Sequence, residues 1–253
     1  MKTTKNIIDI AFNVTIFLCI TIAVFVILNI FVATSFKVSS NSMSPTIISG
    51  DYILVDKISA GARIFNVWKA IKGKNVDIYR IPGWRKFSRN DILAFNQPYV
   101  YPQTASMHLD VMKFYVKRCL ALPGEIIEMK NNLYTIVSEA DSSSCSVIIP
   151  QKGMKIKMDE KAYLHYRNLI EWEQKENLNV RNGYFYLNDS IINGYTFKDN
   201  YYFVCGDNTD ASWDSRYWGM LPEKLIAGRV LATWKSVDNE GKVRWNRVMT
   251  RVK

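Results

Sequence analysis

The sequence predicts a mainly β protein, in which a β-rich core carries an inserted α+β segment and follows one N-terminal transmembrane helix. Three observations support this prediction. Residues 10–36 contain no charged side chain, short strand-like runs with turn signals follow, and one helical pattern starts at Asp159. The chain has 253 residues, of which 48% are hydrophobic. It can therefore form a sizeable core, and wholesale disorder is excluded.

The first element is the apolar segment 10–36. About 20 helical residues cross the ~30 Å hydrocarbon core of a bilayer, so this segment is long enough to span. A cleaved signal peptide is the main alternative, but its apolar region usually has only about 7–15 residues. A buried core helix fits poorly at the extreme N-terminus. Lys2 and Lys5 precede the segment, so the positive-inside rule places residues 1–9 in the cytoplasm and the residues after Phe36 outside.

The residues after Lys37 predict short strands that end at Gly, Pro or Asn signals. Asn131-Asn132 and Asn188-Asp189 each separate two strand-like runs and predict two hairpins. The predicted strands are 52–55, 91–95, 114–122, 126–130, 133–137, 184–187, 190–193, 201–205 and 227–234.

One segment departs from this pattern. Asp159 can cap a helix that runs to about Glu176, with apolar residues at helical spacing. A polar loop with three consecutive serines precedes it. We therefore interpret 131–200 as an insertion in a β-domain formed by 37–130 and 201–253.

Charge and cysteine content exclude some functions and leave others open. The net charge is +10, and residues 57–89 contain nine Lys or Arg and one acid, Asp77. Such a patch can contact nucleic acid or an anionic membrane, or it can simply be a solvated face. The four cysteines (Cys19, Cys119, Cys145 and Cys205) lack C-x-x-C spacing. This argues against a structural zinc site and does not require disulfides.

Three short segments stand out: 39–46, 115–125 and 206–219. Taken singly, they are typical of a linker, an exposed strand and a turn. The third segment also suggests a calcium loop, but the closing bidentate Glu of such a loop is missing.

Together these segments resemble the type I signal peptidase family of membrane-bound serine proteases. The family's S-M-x-P-T element matches Ser42–Thr46, and its K-R-x-x-x-L-P-G-[DE] element matches Lys117–Glu125. Its G-D-N-x-x-x-S-x-D-S-R-x-W-G element matches Gly206–Gly219. Weaker strand elements match 50–57 and 90–98, so the resemblance covers nearly the whole chain except 131–200.

The resemblance implies a role for each matching residue. Ser42 matches the nucleophile and Lys117 the general base. Ser212 matches the serine that orients this lysine, and Ser40 matches the oxyanion-hole hydroxyl, with the Ser42 N–H as second donor. The remaining matching residues are expected to shape the site: the Asp214–Arg216 ion pair, a second pair between Asp207 and Arg118, and the motif residues Met43 and Pro45. Thr209 departs from the family, which often has Arg there.

A lysine base is consistent with the composition. The chain has two histidines, His108 and His165, and neither lies in a motif, which disfavours a Ser-His-Asp triad. A lysine can act as a base only when neutral, and burial can lower its pKa by ~3–5 units. No acidic residue lies within six residues of Lys117 on either side. Such chemistry requires no metal and no cofactor.

The resemblance implies endoproteolytic removal of signal peptides after an Ala-x-Ala-like site, through an acyl-enzyme. Expected partners are signal-peptide-bearing preproteins, membrane phospholipid and the protein export machinery, but not nucleic acid. The expected location is the plasma (inner) membrane, single-pass, with the β-domain extracytoplasmic. Three alternatives remain: a specialised relative that matures one substrate such as a conjugative pilin, an inactive anchored binding module, and a soluble Ser/Lys self-cleaving repressor.

Overall fold

The computed structural model describes residues 2–72, 76–96, 111, 113–130, 133–137 and 146–252. His108, Cys145 and the Asn131-Asn132 turn lie outside the described residues. The helices are α1 (Lys2–Ile27), α2 (Val67–Ile71), α3 (Glu160–Gln174) and α4 (Ser215–Trp218).

Strands dominate the rest of the described chain. They are β1 (Ala33–Lys37), β2 (Asp51–Asp56), β3 (Arg63–Ile64), β4 (Tyr79–Arg80), β5 (Ile92–Asn96), β6 (Phe114–Ala121), β7 (Ile126–Lys130), β8 (Leu133–Val137), β9 (Ser146–Ile148), β10 (Lys155–Lys157), β11 (Leu178–Arg181), β12 (Tyr184–Leu187), β13 (Ser190–Ile191), β14 (Gly194–Thr196), β15 (Tyr201–Cys205), β16 (Leu221–Pro222), β17 (Ile226–Ser236) and β18 (Thr250–Arg251).

The largest sheet has eight strands in the order β1-β2-β17-β5-β6-β15-β16, with β18 also paired to β17. All its strand pairs are antiparallel. The rings of Phe36 on β1 and Phe114 on β6 stack with their centroids 5.2 Å apart. These two strands are four positions apart in the sheet, so the sheet curls strongly, as twisted sheets of this size do. The predicted mainly β fold is confirmed.

The apolar segment forms α1 and then changes its conformation. Residues Ile10–Ile27 have a mean hydropathy of 2.7 and are not buried by the protein, so α1 is long and apolar enough to cross a membrane. The structure differs from the predicted helix 10–36: a π-helical turn at Leu28–Val32 follows α1, and β1 comes next. The charge-free run continues to residue 36 because β1 is also uncharged before Lys37. The backbone N–H and C=O groups of residues 33–37 are satisfied by pairing with β2 and not by helical hydrogen bonds.

The hairpins and the α3 helix agree with the sequence. β7 pairs with β8, and β12 pairs with β13, as predicted. Asp159 caps α3 by accepting a hydrogen bond from Ala162 N. The helix ends at Gln174, because Lys175 adopts a left-handed conformation with φ of 59°.

The described strands between β6 and β15, which are β7 to β14, all lie outside the eight-stranded sheet. β7, which precedes the predicted insertion 131–200, pairs with β8 and β9 in a small separate sheet. The segment between β6 and β15 packs against the large sheet through a shared core in which Leu169 and Ile170 of α3 join Phe203 and Cys205 of β15. The division into two domains stays a prediction.

Candidate active site

Ser42 lies in a tight loop between β1 and β2. The loop is closed at its base by backbone hydrogen bonds between Val38 and Gly50 and between Val38 and Asp51. The side chains of Met43 and Ile47 are 1% and 0% exposed, and they anchor the loop in the core beneath it. Pro45 is exposed and follows Ser44 through a cis peptide bond.

Lys117 lies at the centre of β6, opposite Leu93 of β5. Both Lys117 and Ser42 are buried, with 2% and 8% of their surface exposed. The Lys117 ammonium nitrogen lies 2.5 Å from Ser42 Oγ, within hydrogen-bond distance. The structure thus brings together two side chains that are 75 residues apart in the chain. This is the arrangement of a nucleophile and its base.

The electrostatic environment of Lys117 favours its neutral form. Burial lowers the pKa of the Lys117 ammonium to about 8, although the nearby Asp214 carboxylate acts in the opposite direction. A substantial fraction of Lys117 is therefore neutral near pH ~8, whereas very little would be neutral at the ordinary pKa of about 10.4. A neutral amine can accept the proton of the Ser42 hydroxyl.

Ser212 is buried, and its hydroxyl donates to Asp214 Oδ2 at 2.5 Å. The role that the resemblance implies for Ser212, orienting Lys117, stays a prediction. Arg216 binds the Asp214 carboxylate with two nitrogens, at 2.8 and 2.9 Å, and Gly206 N donates to Asp214 Oδ2 at 2.9 Å. Burial acts to raise the pKa of Asp214, but these donors hold it below its ordinary value. Asp214 is therefore a charged, fully bonded centre beside Lys117.

Arg118 and Asp207 form a second bidentate pair, with both nitrogen–oxygen distances at 2.7 Å. Thr46 Oγ1 also donates to Asp207 Oδ2, at 2.5 Å. The pair therefore connects the loop that carries Ser42 to β6 and to the residues after β15. Bidentate pairs of this kind fix geometry as well as contributing energy.

The segment after β15 packs directly against the Ser42 backbone. Asn208 N donates to Ser42 O at 3.1 Å, and Asn208 Nδ2 donates to Asn41 O at 3.2 Å. A Cβ atom on Gly206 would overlap with Ser212 Oγ and with Ser42 O. Only glycine allows this close approach.

Ser40 lies at the edge of the site. Its Oγ is 3.4 Å from Ser42 Oγ, and its side chain is exposed. Ser40 and Ser42 line a cleft of about 470 Å³, together with Phe36–Ser39, Met43 and Lys113–Val116. The cleft therefore lies between the end of β1 and the start of β6, and Ser42 forms part of its wall.

Comparison with known proteins identifies the family of this chain. The pattern of the family described as "Signal peptidase, peptidase S26" matches residues 11–235. The chain belongs to this signal peptidase family. Its members are serine-type endopeptidases, and the chain is one of them.

Individual relatives agree. The chain is 29% identical to "Signal peptidase I" of Buchnera aphidicola from Acyrthosiphon pisum, over 92% of this chain and 79% of that protein. It is 28% identical to "Signal peptidase I" of Pseudomonas aeruginosa, over 83% of this chain and 67% of that protein. A crystal structure of a signal peptidase I from Enterococcus faecalis is 24% identical, covers 57% of this chain and 97% of that chain, and has a TM-score of 0.27.

Sequence reasoning did not assign all the residues that shape the signal peptidase site. Thr46, Gly206 and Asn208 lie inside the motifs, which was the available signal. No sequence pattern pointed to Arg247, which lies close to residue 253 in the sequence. Its guanidinium donates to Asp51 Oδ2 at 2.6 Å and to Thr46 O at 2.9 Å.

The remaining candidate groups are His165 and two cysteines, of which Cys205 lies close enough to Lys117 to raise the pKa of that lysine. His165 is on α3, where its ring packs against Tyr166. Cys119 and Cys205 are buried free thiols in different core clusters. Within the described residues, no group of three or more His, Cys, Asp or Glu side chains is placed to hold a metal ion.

Proposed function

We propose that this chain is a signal peptidase I that cleaves N-terminal signal peptides from exported preproteins, with Ser42 as nucleophile and Lys117 as general base. The observation that carries the proposal is the 2.5 Å contact between Lys117 Nζ and Ser42 Oγ in a buried site. Membership of the signal peptidase family supports the substrate class.

The cycle begins with neutral Lys117. It removes the proton of Ser42 Oγ as that oxygen attacks the scissile carbonyl, and a tetrahedral oxyanion forms. Protonated Lys117 then gives its proton to the leaving amine, and the acyl group remains on Ser42. Lys117 next takes a proton from water as the water oxygen attacks the ester carbonyl, and it returns that proton to Ser42 Oγ as the ester bond breaks. The signal peptide leaves with a new C-terminal carboxyl group, and Ser42 and neutral Lys117 are restored.

Ser40 and the Ser42 N–H are the proposed oxyanion donors. Ser40 Oγ lies 3.4 Å from Ser42 Oγ on the side that faces the cleft. A hydroxyl there can bond to the oxygen on which charge develops, and such donors act mainly in the transition state. The cycle as proposed uses only groups of this chain and water.

The cleft is the proposed binding site for the residues before the cut. It lies between two strand ends, so an extended peptide can run beside the backbone of residues 36–40. We propose that the cleft accepts alanine-sized side chains at the first and third positions before the cut.

The membrane arrangement supports access to this substrate. Ser42 follows the end of β1 by only a few residues, and β1 follows the spanning helix through a single π-helical turn. We place residues 1–9 in the cytoplasm, since Lys2 and Lys5 precede the span. The β-domain (37–130 and 201–253) would then be extracytoplasmic, where preproteins emerge from the export machinery.

Cleavage of a preprotein by the purified full chain in detergent tests the proposal. Ser42→Ala and Lys117→Ala should each abolish cleavage while the protein remains folded. An acid-quenched reaction with wild type should give a peptide ester on Ser42 by mass spectrometry.

Two exposed residues of the same types provide matched controls. Ser190 on β13 and Lys155 on β10 are both exposed, so Ser190→Ala and Lys155→Ala should retain full activity. Robust turnover by Lys117→Ala would refute the proposed base, and acylation at another residue would refute the proposed nucleophile.

A further inference from the structure

The segment between β2 and β5 presents apolar side chains to solvent. We name residues 57–72 and 76–89 the 57–89 lobe. Within it, α2 buries only Ala70 and exposes Val67, Trp68 and Ile71. Trp68 and Trp84 are each 77% exposed. A short helix that turns its aromatic and aliphatic side chains outward is typical of an interaction surface.

This exposed surface belongs to a firmly attached element. The Arg63 guanidinium donates to Leu225 O at 2.9 Å and to Asn96 Oδ1 at 2.8 Å. The Arg80 guanidinium donates to Glu223 O at 2.8 Å and also to Ile226 O. The lobe is therefore fixed to the large sheet by two arginines, and its exposed tryptophans are held on one structure.

The lobe is fixed at the end of the sheet where the spanning helix ends. β1 starts at Ala33, which pairs with Asp56 at the end of β2. The next residue, Lys57, donates from its backbone N to Val32 O at 2.9 Å and from Nζ to Asn29 O at 2.7 Å. The first residue of the lobe thus contacts the turn that follows α1.

The other attachment points lie at the same end. Arg229 of β17 is also opposite Asp56, and Ile226, which binds Arg80, begins that strand. Trp84 lies near the same end of the sheet, because the backbone N–H of the next residue, Arg85, donates to Ser59 O at 2.9 Å. Ser59 is two residues, at most about 7 Å, from Lys57.

The charge of the lobe matches an anionic surface. Lys69, Lys72 and Lys86 are exposed on it. Its single acid, Asp77, pairs with Lys175, the residue that follows α3, at 2.6 Å. Tryptophans with lysines around them are typical of segments that lie at the headgroup level of a bilayer.

We propose that the 57–89 lobe rests on the anionic membrane surface beside α1, with Trp68 and Trp84 in the headgroup region. The lobe then gives the β-domain a second membrane contact in addition to α1. This contact sets the tilt of the β-domain and hence the height of the cleft above the bilayer. The proposal rests on the proposed function only in that a membrane-bound preprotein benefits from this height.

Site-specific fluorescence on the full chain tests the contact. Cys19→Ala/Cys145→Ser provides the background, since Cys119 and Cys205 are buried. A small environment-sensitive fluorophore is attached to Val67→Cys, beside Trp68. Leu164→Cys is the control position, because Leu164 is 78% exposed on α3 and is remote from the lobe. It lies 11 residues, about 16 Å of helix, before Lys175, the residue that pairs with Asp77 of the lobe.

The labelled proteins are reconstituted in vesicles of phosphatidylcholine with phosphatidylglycerol that carry a spin-labelled lipid. The fluorophore at residue 67 should be quenched at least about twofold more than the one at residue 164. Pure phosphatidylcholine or high salt should reduce that quenching, since charge contributes to the contact. Equal quenching at the two positions, or quenching at 67 only when a second protein is added, would overturn the proposal.

Kinetics separate this inference from the proposed function. Trp68→Ala/Trp84→Ala should raise the apparent KM for a vesicle-bound preprotein about tenfold. The same variant should cleave a short soluble peptide in detergent at the wild-type rate, which also shows that it is folded. An unchanged KM on vesicles would reject the lobe contact, whereas wild-type protein inactive on both substrates would reject the proposed function.

Discussion

Ser212 Oγ lies 2.5 Å from Asp214 Oδ2, and both side chains are buried. The same carboxylate oxygen accepts from Arg216 Nη2 and Gly206 N. Ser212 therefore completes the set of donors around a charge that faces Lys117. We infer that Ser212 is a positioning residue, which acts on the lysine through Asp214 and through the close packing at Gly206.

Ser212→Ala should reduce kcat/KM by roughly tenfold, or about 1.4 kcal/mol, because it removes one buried charge-assisted hydrogen bond and leaves the other donors in place. Ser212→Thr should retain most activity, since the hydroxyl survives. Steady-state cleavage of a peptide substrate measures both variants. A Ser212→Ala enzyme as active as wild type would exclude the positioning role.

Asp214→Asn should shift the acidic limb of the activity profile to lower pH. Burial and Arg216 lower the pKa of Lys117, and the Asp214 charge is the strongest of the groups that raise it, so loss of this carboxylate should lower that pKa further. The variant should also be destabilised by about 3–5 kcal/mol, because a buried ion pair loses one partner. The pH dependence of kcat/KM measures the shift, and thermal unfolding confirms that the variant is folded during the assay. A limb that stays in place or moves to higher pH contradicts the assignment.

Much of this fold is predictable because its signals are local. Alternation and turn residues indicate the strands, and Asp159 marks the start of α3. Residues 28–37 were not predictable in this way, since an uncharged run is compatible with both a helix and a strand. The pairing of residues 33–37 with β2 joins residues that are 15 to 23 positions apart along the chain.

The candidate site shows the same division. The motifs predicted Ser42 and Lys117 as candidate catalytic residues, and the structure brings their side chains into contact. The partner of Ser212 was not predictable, because a hydroxyl can donate to any nearby acceptor and only the folded backbone selects Asp214. The bond from Arg247 to Asp51 spans 196 residues, and no local pattern encodes it.

Ser40→Ala should lower kcat by roughly 10²–10³-fold, about 2.7–4 kcal/mol, if its hydroxyl stabilises the oxyanion. KM should change little, since the donor acts mainly in the transition state. Ser49→Ala provides a comparison in the same loop, because Ser49 Oγ bonds to Ser39 O and not to Ser42. A Ser40→Ala enzyme with unchanged kcat would remove Ser40 from the site.

The pH profile of the wild type should have one acidic limb near pH 8. Burial lowers the pKa of Lys117 to about 8, and the enzyme is active only when this base is neutral, so kcat/KM should rise tenfold per pH unit below that value and level off above it. His108→Gln/His165→Gln should leave the limb unchanged. If the double variant loses the limb, a histidine is the base and the role of Lys117 is wrong.

Lys117→Met should make the protein more stable and inactive. The folded-state pKa of Lys117, about 8, lies below its unfolded value of about 10.4. Folding therefore opposes protonation of Lys117. Below pH ~8 the buried ammonium destabilises the wild type by its full cost of about 3 kcal/mol, at 1.36 kcal/mol per pKa unit.

This cost of burying the ammonium falls as pH rises and vanishes above pH ~10.4. Met removes the cost but loses the bond to Ser42, worth about 1 kcal/mol, so the variant should gain about 2 kcal/mol at pH 7 and lose up to about 1 kcal/mol near pH ~10.4, where the cost has nearly vanished. Denaturant unfolding at both pH values measures the difference, with Lys155→Met as the exposed control. A gain that does not depend on pH would mean that Lys117 titrates alike in the folded and unfolded chains, which is incompatible with a buried lysine that serves as the base.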